Sequence, residues 1–265
     1  MTDEKSIDLG NVKSFTIDDG PYQSANCLFH FVKKLDYIKS ILEQQCLKPW
    51  YVKENIEYLN LEGLKEIYIP MKCFCDINLH KLTQHINYYG NFGVAFSKKW
   101  GIENGVQPVI YANNKSLLID EYRKSIFRNL REGSNDEDVY PLMQMMYIKP
   151  LIGMQKDKEE NEHLKYYTDE CEWRYIFDME KIDPDFRQIY KVEDNMNFDT
   201  INKSLQTNIP SELTFKFEDI KYIILNEERD FLDVQQLIDT FKISQIEKYK
   251  LMSKIIIWDE SKGDF

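Results

Sequence analysis

Apolar side chains recur at intervals of three and four residues in several parts of the chain, and this spacing predicts helices. The first predicted helix precedes Pro49 and carries its apolar stripe at Leu35, Ile38, Ile41 and Leu42. A second short helix is predicted at residues 80–88. A third carries a stripe at Ile119, Tyr122, Ile126 and Leu130.

Short runs of branched and aromatic residues predict strands between these helices, at 67–75, 92–96, 108–111 and 173–177. Pro70 indicates that the first of these strands lies at a sheet edge or is kinked, because proline has no amide proton for a ladder. The apolar run 143–152 fits a helix or a strand equally well. Three polar stretches, 131–139, 155–163 and 191–211, are predicted to be loops.

The C-terminal part has the clearest pattern. Apolar runs at 222–225 and 255–258 flank a helical stripe at Val234, Leu237, Ile238 and Phe241. This order predicts a βαβ-like unit, or a helix packed on a mixed sheet. Because no repeat and no Gly- or Pro-rich linker divides the chain, we predict one α+β domain over residues 1–265, with a strand-helix-strand extension at about 213–260.

Composition narrows the class of protein. The chain has 43% hydrophobic and 30% charged residues, an ordinary globular mixture, and a net charge of −11. A negative charge of this size repels phosphate backbones and argues against broad coating of nucleic acid, although a local basic groove is compatible with it.

No stretch approaches the length of a membrane span, and the polar first twenty residues do not resemble a secretory signal. The five cysteines are scattered and odd in number, which is typical of reduced thiols. These features predict a cytoplasmic protein without a membrane partner.

The sequence Asp169-Glu170-Cys171-Glu172-Trp173-Arg174 is the strongest candidate for chemistry. If it forms a strand, Glu170 and Glu172 share one face about 7 Å apart. Paired carboxylates then divide into a proton acceptor and an ionised group, which suits a sugar transition state with developing positive charge. The structural alternative is a solvated acidic strand edge that balances Arg174.

His30 and a nearby aromatic group are candidates for ligand binding. His30 follows an apolar strand and is either a hydrogen-bonded core residue or an anchor for ligand hydroxyls. Tyr88, Tyr89 and Phe92 surround two glycines, which either allow a ligand ring to stack or form a tight turn.

A zinc site is a weaker alternative, with Cys73, Cys75, His80 and His85 as the conceivable ligands. The two histidines lie far apart around a helix, and C-x-C differs from the usual zinc spacing. The sequence therefore assigns no metal ligands.

Five segments in order carry a family resemblance: LFHFVKKLDYIKSILEQQCLKP, PMKCFCDI, HINYYGNFGVAFSKKWG, PVIY and ECEWRYIF. Together they resemble the AbiGi family of bacterial abortive-infection proteins, usually described as the antitoxin side of a phage-resistance pair. The similarity covers about residues 28–177, and residues 71–111 are its most specific part. It implies a toxin or antitoxin partner or a phage-derived trigger.

The same layout is similar to a wider group of bacterial domains with an E-x-E-W-R strand, thought to share the ADP-ribosyltransferase fold. This resemblance implies split, mixed or antiparallel sheets with peripheral helices and a core at about residues 25–180. It also implies NAD as the substrate, bound by His30 and by Tyr89, with Tyr88 and Phe92 as rival positions. Glu172 would stabilise the sugar cation, and Glu170 would orient or deprotonate the acceptor.

Two functions follow as the main hypotheses. One is an NAD-dependent ADP-ribosyltransferase that modifies a protein or nucleic-acid acceptor during phage defence. The other is an antitoxin or regulatory binding protein that keeps the fold without catalysis. An enzyme is expected to bring His30, Tyr89 and Glu172 together in one cleft.

Overall fold

A computed structural model describes residues 24–61, 63–132, 140–156, 161–192, 196–208 and 213–261. Its strands are β1 Cys27–Val32, β2 Cys46–Leu47, β3 Tyr51–Asn55, β4 Glu66–Cys75, β5 Phe92–Ser97, β6 Gln107–Pro108, β7 Ile110–Ala112, β8 Ile148–Pro150, β9 Ile152–Lys156, β10 Glu162–Tyr166, β11 Glu172–Ile176, β12 Tyr190–Lys191, β13 Leu213–Thr214, β14 Ile220–Leu225 and β15 Ile255–Ile257.

Helices alternate with these strands along the chain. They are α1 Leu35–Gln44, α2 Leu82–Tyr89, α3 Lys98–Glu103, α4 Leu117–Glu132, α5 Tyr140–Tyr147, α6 Met179–Ile182, α7 Phe198–Asn208, α8 Glu228–Thr240, α9 Gln245–Met252 and α10 Trp258–Ser261. Short 3-10 helices occupy Glu57–Leu59, Leu79–Lys81 and Tyr167–Glu170.

The main sheet has nine strands, with the order β15-β14-β5-β1-β4-β11-β6, and β3 and β12 also pair with β4. The strand pairs are antiparallel except for β14 with β15, so the sheet is mixed. Three two-stranded sheets, β9–β10, β2–β13 and β7–β8, surround it. The predicted α+β class with mixed sheets and peripheral helices is confirmed.

The main sheet consists of two halves that meet between β1 and β4. β1 pairs with β5 over six residues, and β4 pairs with β11 over five. In contrast, a single register pair, Phe29 with Cys75, joins β1 to β4 in the described part of the chain. Residues of both strands next to this pair line a large cavity.

Alternation along the strands buries both faces of the sheet. Leu28, Val94 and Phe96 contribute to a core with helices α1 and α8, whereas Phe29 and Ala95 contribute to a second core with α2. Each fully buried large apolar side chain adds about 1.5–3 kcal/mol to stability. A third core packs α4 and α5 against β4.

The C-terminal prediction of a βαβ-like unit is confirmed, since β14 and β15 are parallel with α8 and α9 between them. The unit joins the main sheet through the pairing of β14 with β5. The prediction of one strand at 108–111 is wrong. The chain there forms two short strands, β6 and β7, which pair with β11 and β8.

Two of the predicted loops contain regular structure. Residues 191–211 include α7, whose buried side chains are Phe198, Asn202 and Leu205. Its stripe is hard to recognise because Asn202 takes one buried position and bonds the main chain of Tyr51. The stretch 155–163 contains parts of the β9–β10 hairpin. Of the third loop, residues 133–139 lie outside the described residues.

Pro70 does not mark an edge strand, because β4 has partners along both sides. At Pro70 the partners change: β3 pairs with residues 66–70 of β4, and β11 pairs with residues 71–75. The five cysteines are free thiols in the structure. Within the described residues, no helix has the length and apolar character needed to cross a membrane.

Candidate functional site

A cavity of about 1190 Å³ lies between the two halves of the main sheet. Residues 29–32 of β1 form one wall and residues 71–74 of β4 form another. The β9–β10 hairpin and the end of α2 complete the walls. Ligand cavities typically measure about 300–1,000 Å³, so this cavity is large enough for a ligand at the upper end of that range.

Lys149 is at the centre of a buried charge cluster in this cavity. Its Nζ lies 2.5 Å from Glu170 Oε2 and 2.6 Å from Glu172 Oε2, so one ammonium group binds both carboxylates. Lys165 Nζ lies 2.6 Å from the second oxygen of Glu170. Both glutamates are almost completely buried, with 2% and 5% of their surfaces exposed.

Arg174 is the third cation of the cluster. It is fully buried, and its Nε lies 2.7 Å from Glu172 Oε1. Its Nη2 lies 3.0 Å from Glu54 Oε2, and its Nη1 donates to the carbonyl of Met146 at 2.8 Å. The cluster therefore contains three carboxylates and three cations, and the charges balance.

These contacts fix the ionisation of the glutamates. Burial raises the pKa of the Glu172 carboxyl, but the charges of Arg174 and Lys149 more than offset this, so its pKa lies well below the usual value. The pKa of Glu170 is also lowered, because Lys149 and Lys165 outweigh burial and the Glu172 charge. The two carboxylates raise the pKa of Lys149 despite its burial. All three groups are therefore charged at neutral pH.

The local chain around Glu170 differs from the predicted continuous strand. Glu170 ends a 3-10 helix, and Cys171 has a left-handed backbone with φ 43°, before β11 begins at Glu172. The turn still directs both carboxylates to Lys149. The alternative of a solvated strand edge is wrong, because β11 lies between β4 and β6 and both carboxylates are buried.

His30 lies across the cavity on β1. Its Nδ1 donates a hydrogen bond to the carbonyl of Cys73 at 2.9 Å. Burial and the Lys72 charge lower the pKa of His30 to about 3, so its ring is neutral and Nε2 is an acceptor. Nε2 is buried and has no hydrogen-bond partner among the described residues.

Tyr89 contacts the charge cluster directly. Its hydroxyl donates to Glu170 Oε1, and it accepts from Gln155 Nε2 at 3.1 Å and from Lys165 Nζ at 3.3 Å. Burial raises the pKa of Tyr89 well above its usual value, so the phenol stays protonated.

The other two aromatic candidates occupy different places. The Tyr88 ring lies 4.0 Å from Lys165 Nζ, and Phe92 packs against the core shared by α1 and β5. The described residues that line the cavity include four of the candidates, His30, Tyr89, Glu170 and Glu172. They do not include Tyr88 or Phe92.

The zinc alternative finds no support in the described residues. No group of three or more His, Cys, Asp or Glu side chains there is arranged to hold a metal ion. His85 packs its ring against Phe31 and Tyr89 instead, with centroids 5.4 and 4.4 Å away.

The sequence interpretation missed the cations of the cluster, Lys149 and Lys165. Lys149 is the one charged residue of the apolar run 143–152, and this is the signal that could have identified it. A lysine in such a run needs a buried partner. The sequence indicates Arg174 as a charge partner for the acidic pair, but it does not predict that Arg174 is buried.

This arrangement favours binding over proton transfer. Carboxylates with lowered pKa values are weak bases, and their oxygens already accept from three cations. The cavity also presents two acceptors that have no partner among the described residues, His30 Nε2 and Gln155 Oε1, and a ligand with hydroxyl or amide protons would satisfy them.

Comparisons with known proteins identify relatives of this chain. A family model described as "abortive phage resistance protein AbiGi, antitoxin" matches residues 44–226. A protein of Lactococcus lactis subsp. cremoris, "Abortive phage resistance protein AbiGi", is 37% identical over an alignment of 246 positions that covers 82% of this chain and 98% of the relative. No solved structure matches the chain, so the ADP-ribosyltransferase fold stays a prediction.

Proposed function

Because this chain belongs to the AbiGi family of abortive phage resistance proteins, we propose that it is the antitoxin side of a phage-resistance pair and acts by binding a toxin. The observation that carries this proposal is the charge state of the cavity. Both candidate catalytic carboxylates are buried and paired with cations.

The pairing matters because a developing sugar cation needs an available negative charge. Glu172 has one oxygen 2.7 Å from Arg174 and the other 2.6 Å from Lys149. These cations cancel most of the field that the carboxylate would direct at a transition state. Breaking such a buried pair costs about 3–5 kcal/mol, which a substrate would have to supply.

The β9–β10 hairpin is the surface that we expect the toxin to contact. Met154 and Leu164 face each other across its two strands and are 57% and 64% exposed, with exposed Ile152 and Tyr166 as the next pair. Clusters of exposed apolar side chains are typical of protein interfaces. The family description as an antitoxin supplies the partner class.

The direct test is to express the toxin of the same phage-resistance system with and without this chain and to measure growth. We expect the chain alone to leave growth unchanged and to restore growth when the toxin is present. A Met154→Ser/Leu164→Ser variant should lose this protection while remaining folded.

Ile246→Ser, which changes an equally exposed apolar residue on α9, is the matched control and should protect like the natural chain. Growth arrest caused by the chain alone, or failure to relieve the toxin, would contradict the proposal.

NAD-dependent ADP-ribosyl transfer is the second candidate, and one observation favours it: His30, Tyr89 and Glu172 line one cavity. The volume of about 1190 Å³ and the free acceptor of His30 suit a dinucleotide with ribose hydroxyls. NAD supplies a glycosidic bond to nicotinamide that breaks with positive charge on the sugar. Here His30 would hydrogen-bond a ribose hydroxyl. Glu172 would have to give up an ion pair with Lys149 or Arg174 before it could stabilise the sugar cation.

Label transfer from biotinylated NAD in lysates of infected and uninfected bacteria tests this candidate. Protein and nucleic-acid acceptors are separated by protease and nuclease treatment. Tyr89→Phe keeps the ring and removes the hydroxyl, so it complements Glu172→Gln if that variant is unstable. Labelling that both substitutions abolish would establish the transferase and replace the binding proposal.

A further inference from the structure

Lys72 is a cation on the β4 wall of the cavity without a carboxylate partner among the described residues. Its Nζ lies 5.8 Å from the centroid of the Trp50 ring. Burial lowers the pKa of Lys72 to about 8, and it is mostly protonated at neutral pH. An anion bound beside this partly buried ammonium group would supply the charge partner that the described residues do not.

Three more lysines line the same cavity: Lys33, Lys34 and Lys48. In the part of the chain described, none of them pairs with a carboxylate, and Lys48 instead donates to the carbonyl of Gln206 at 2.6 Å. The carboxylate-rich cluster around Lys149 is a separate group of lining residues. Lys72 therefore stands apart from the charge-balanced cluster, and Lys33, Lys34 and Lys48 add positive charge to the lining.

His30 lies close enough to Lys72 for its pKa to be lowered by burial and by the Lys72 charge. Only 8% of the His30 surface is exposed, and Nε2 has no hydrogen-bond donor among the described residues. Because Nδ1 carries the proton that bonds Cys73, Nε2 requires a donor from the ligand. A ligand that combines an anionic group with a hydroxyl or amide proton would therefore satisfy both Lys72 and His30.

We propose that the part of the cavity around Lys72 and His30 is a binding subsite for a phosphorylated sugar, with the phosphate at Lys72 and a sugar hydroxyl donating to His30 Nε2. Lysine binds phosphate as a point charge, and the lysines at the rim add to the attraction. Trp50 and Tyr37, whose ring centroids are 6.2 Å apart, supply an aromatic wall for the sugar. The inference rests on the cavity alone and holds for a binding protein and for an enzyme.

Isothermal titration of the full chain with ribose 5-phosphate, ribose and inorganic phosphate tests the subsite. We expect ribose 5-phosphate to bind more tightly than either fragment. Lys72→Met should weaken it by at least about tenfold, the effect of losing one hydrogen bond to a charged group. Lys72→Arg should restore most of the affinity.

The ratio of affinities for ribose 5-phosphate and ribose separates a direct role from a structural one. Lys72→Met should reduce this ratio, whereas His30→Phe should weaken both ligands and leave the ratio nearly unchanged. Lys99→Met, at an exposed lysine outside the cavity, is the control and should bind like the natural chain. Equal affinity of Lys72→Met and the natural chain, or no binding of ribose 5-phosphate at all, would overturn the proposal.

Discussion

Arg174 Nε lies 2.7 Å from Glu172 Oε1, and the two residues are alternate positions on one strand. Alternate residues of a strand share a face, so the pair forms within β11 without help from another element. The guanidinium is fully buried, and the same group also reaches Glu54. The pair therefore connects β11 with β3 through the interior.

Replacing Glu172 with glutamine should destabilise the protein strongly. The substitution keeps the shape but leaves Arg174 and Lys149 with fewer compensating charges, and the free energy of unfolding should fall by about 3–5 kcal/mol. Urea denaturation followed by circular dichroism measures this change. Glu121→Gln, at an exposed glutamate paired with Lys124, is the control and should change little. Equal stabilities of the two variants would contradict the assignment.

Tyr89→Phe should have a smaller effect. The change removes a hydroxyl that donates to Glu170 and accepts from Gln155, while Lys149 and Lys165 still bind the carboxylate. We expect a loss of about 1–2 kcal/mol of unfolding free energy. Thermal and urea unfolding measure this loss. Tyr249→Phe, at an exposed tyrosine, is the control and should leave the free energy of unfolding nearly unchanged.

Stability should fall as the pH decreases below about 6.5. His30 has a pKa of about 3 in the fold against an ordinary 6.5, so the unfolded chain takes up the proton first. Its contribution is complete above pH 6.5 and is lost progressively toward pH 3. His85, whose pKa burial lowers to about 4, adds a loss of the same sign.

His30→Asn tests this pH dependence, because it keeps an N–H near the carbonyl of Cys73 and cannot titrate. Urea midpoints between pH 7.5 and 5 should vary less in this variant than in the natural chain. This range avoids the protonation of Glu170 and Glu172, whose lowered pKa values place their loss at lower pH. An unchanged slope would refute the role of His30.

Gly90→Ala should disturb the junction of α2 with β1. Gly90 has φ 136°, and a Cβ there would lie 2.2 Å from the carbonyl oxygen of Val32, which is backbone and unable to rotate away. Backbone strain and the clash should together cost about 3 kcal/mol or more. Gly105→Ala has φ 74° and open space, so it isolates the backbone term, about 1–2 kcal/mol. Equal losses would show that the close approach is unimportant.

The elements with regular apolar spacing could be predicted from sequence, because their stripes face a core. This holds for α1, α4, β5 and the C-terminal βαβ-like unit. Helix α7 could not, since Asn202 lies in its buried stripe and is satisfied by the distant Tyr51 main chain. Such a long-range partner leaves no local pattern.

The candidate site shows the same division. His30, Tyr89, Glu170 and Glu172 could be selected by residue type and family resemblance, and they share one cavity. Their charge state could not, because it depends on Lys149 and Lys165, which come from β8 and β10. The resemblance to the AbiGi family is confirmed, whereas the NAD chemistry stays a prediction.

In the described part of the chain, one register pair, Phe29 with Cys75, joins the two halves of the main sheet, so a rotation of one half against the other would pivot there. When two rigid plates turn about a point, displacement grows with distance from that point. Residues close to the pair, such as His30, would hardly move relative to β4, which its bond to Cys73 also restrains. Lys33 and Lys34, which follow the end of β1, would move farther. A small change of angle at the Phe29–Cys75 pair would therefore change the distance from Lys33 to β4 more than the distance from His30 to β4.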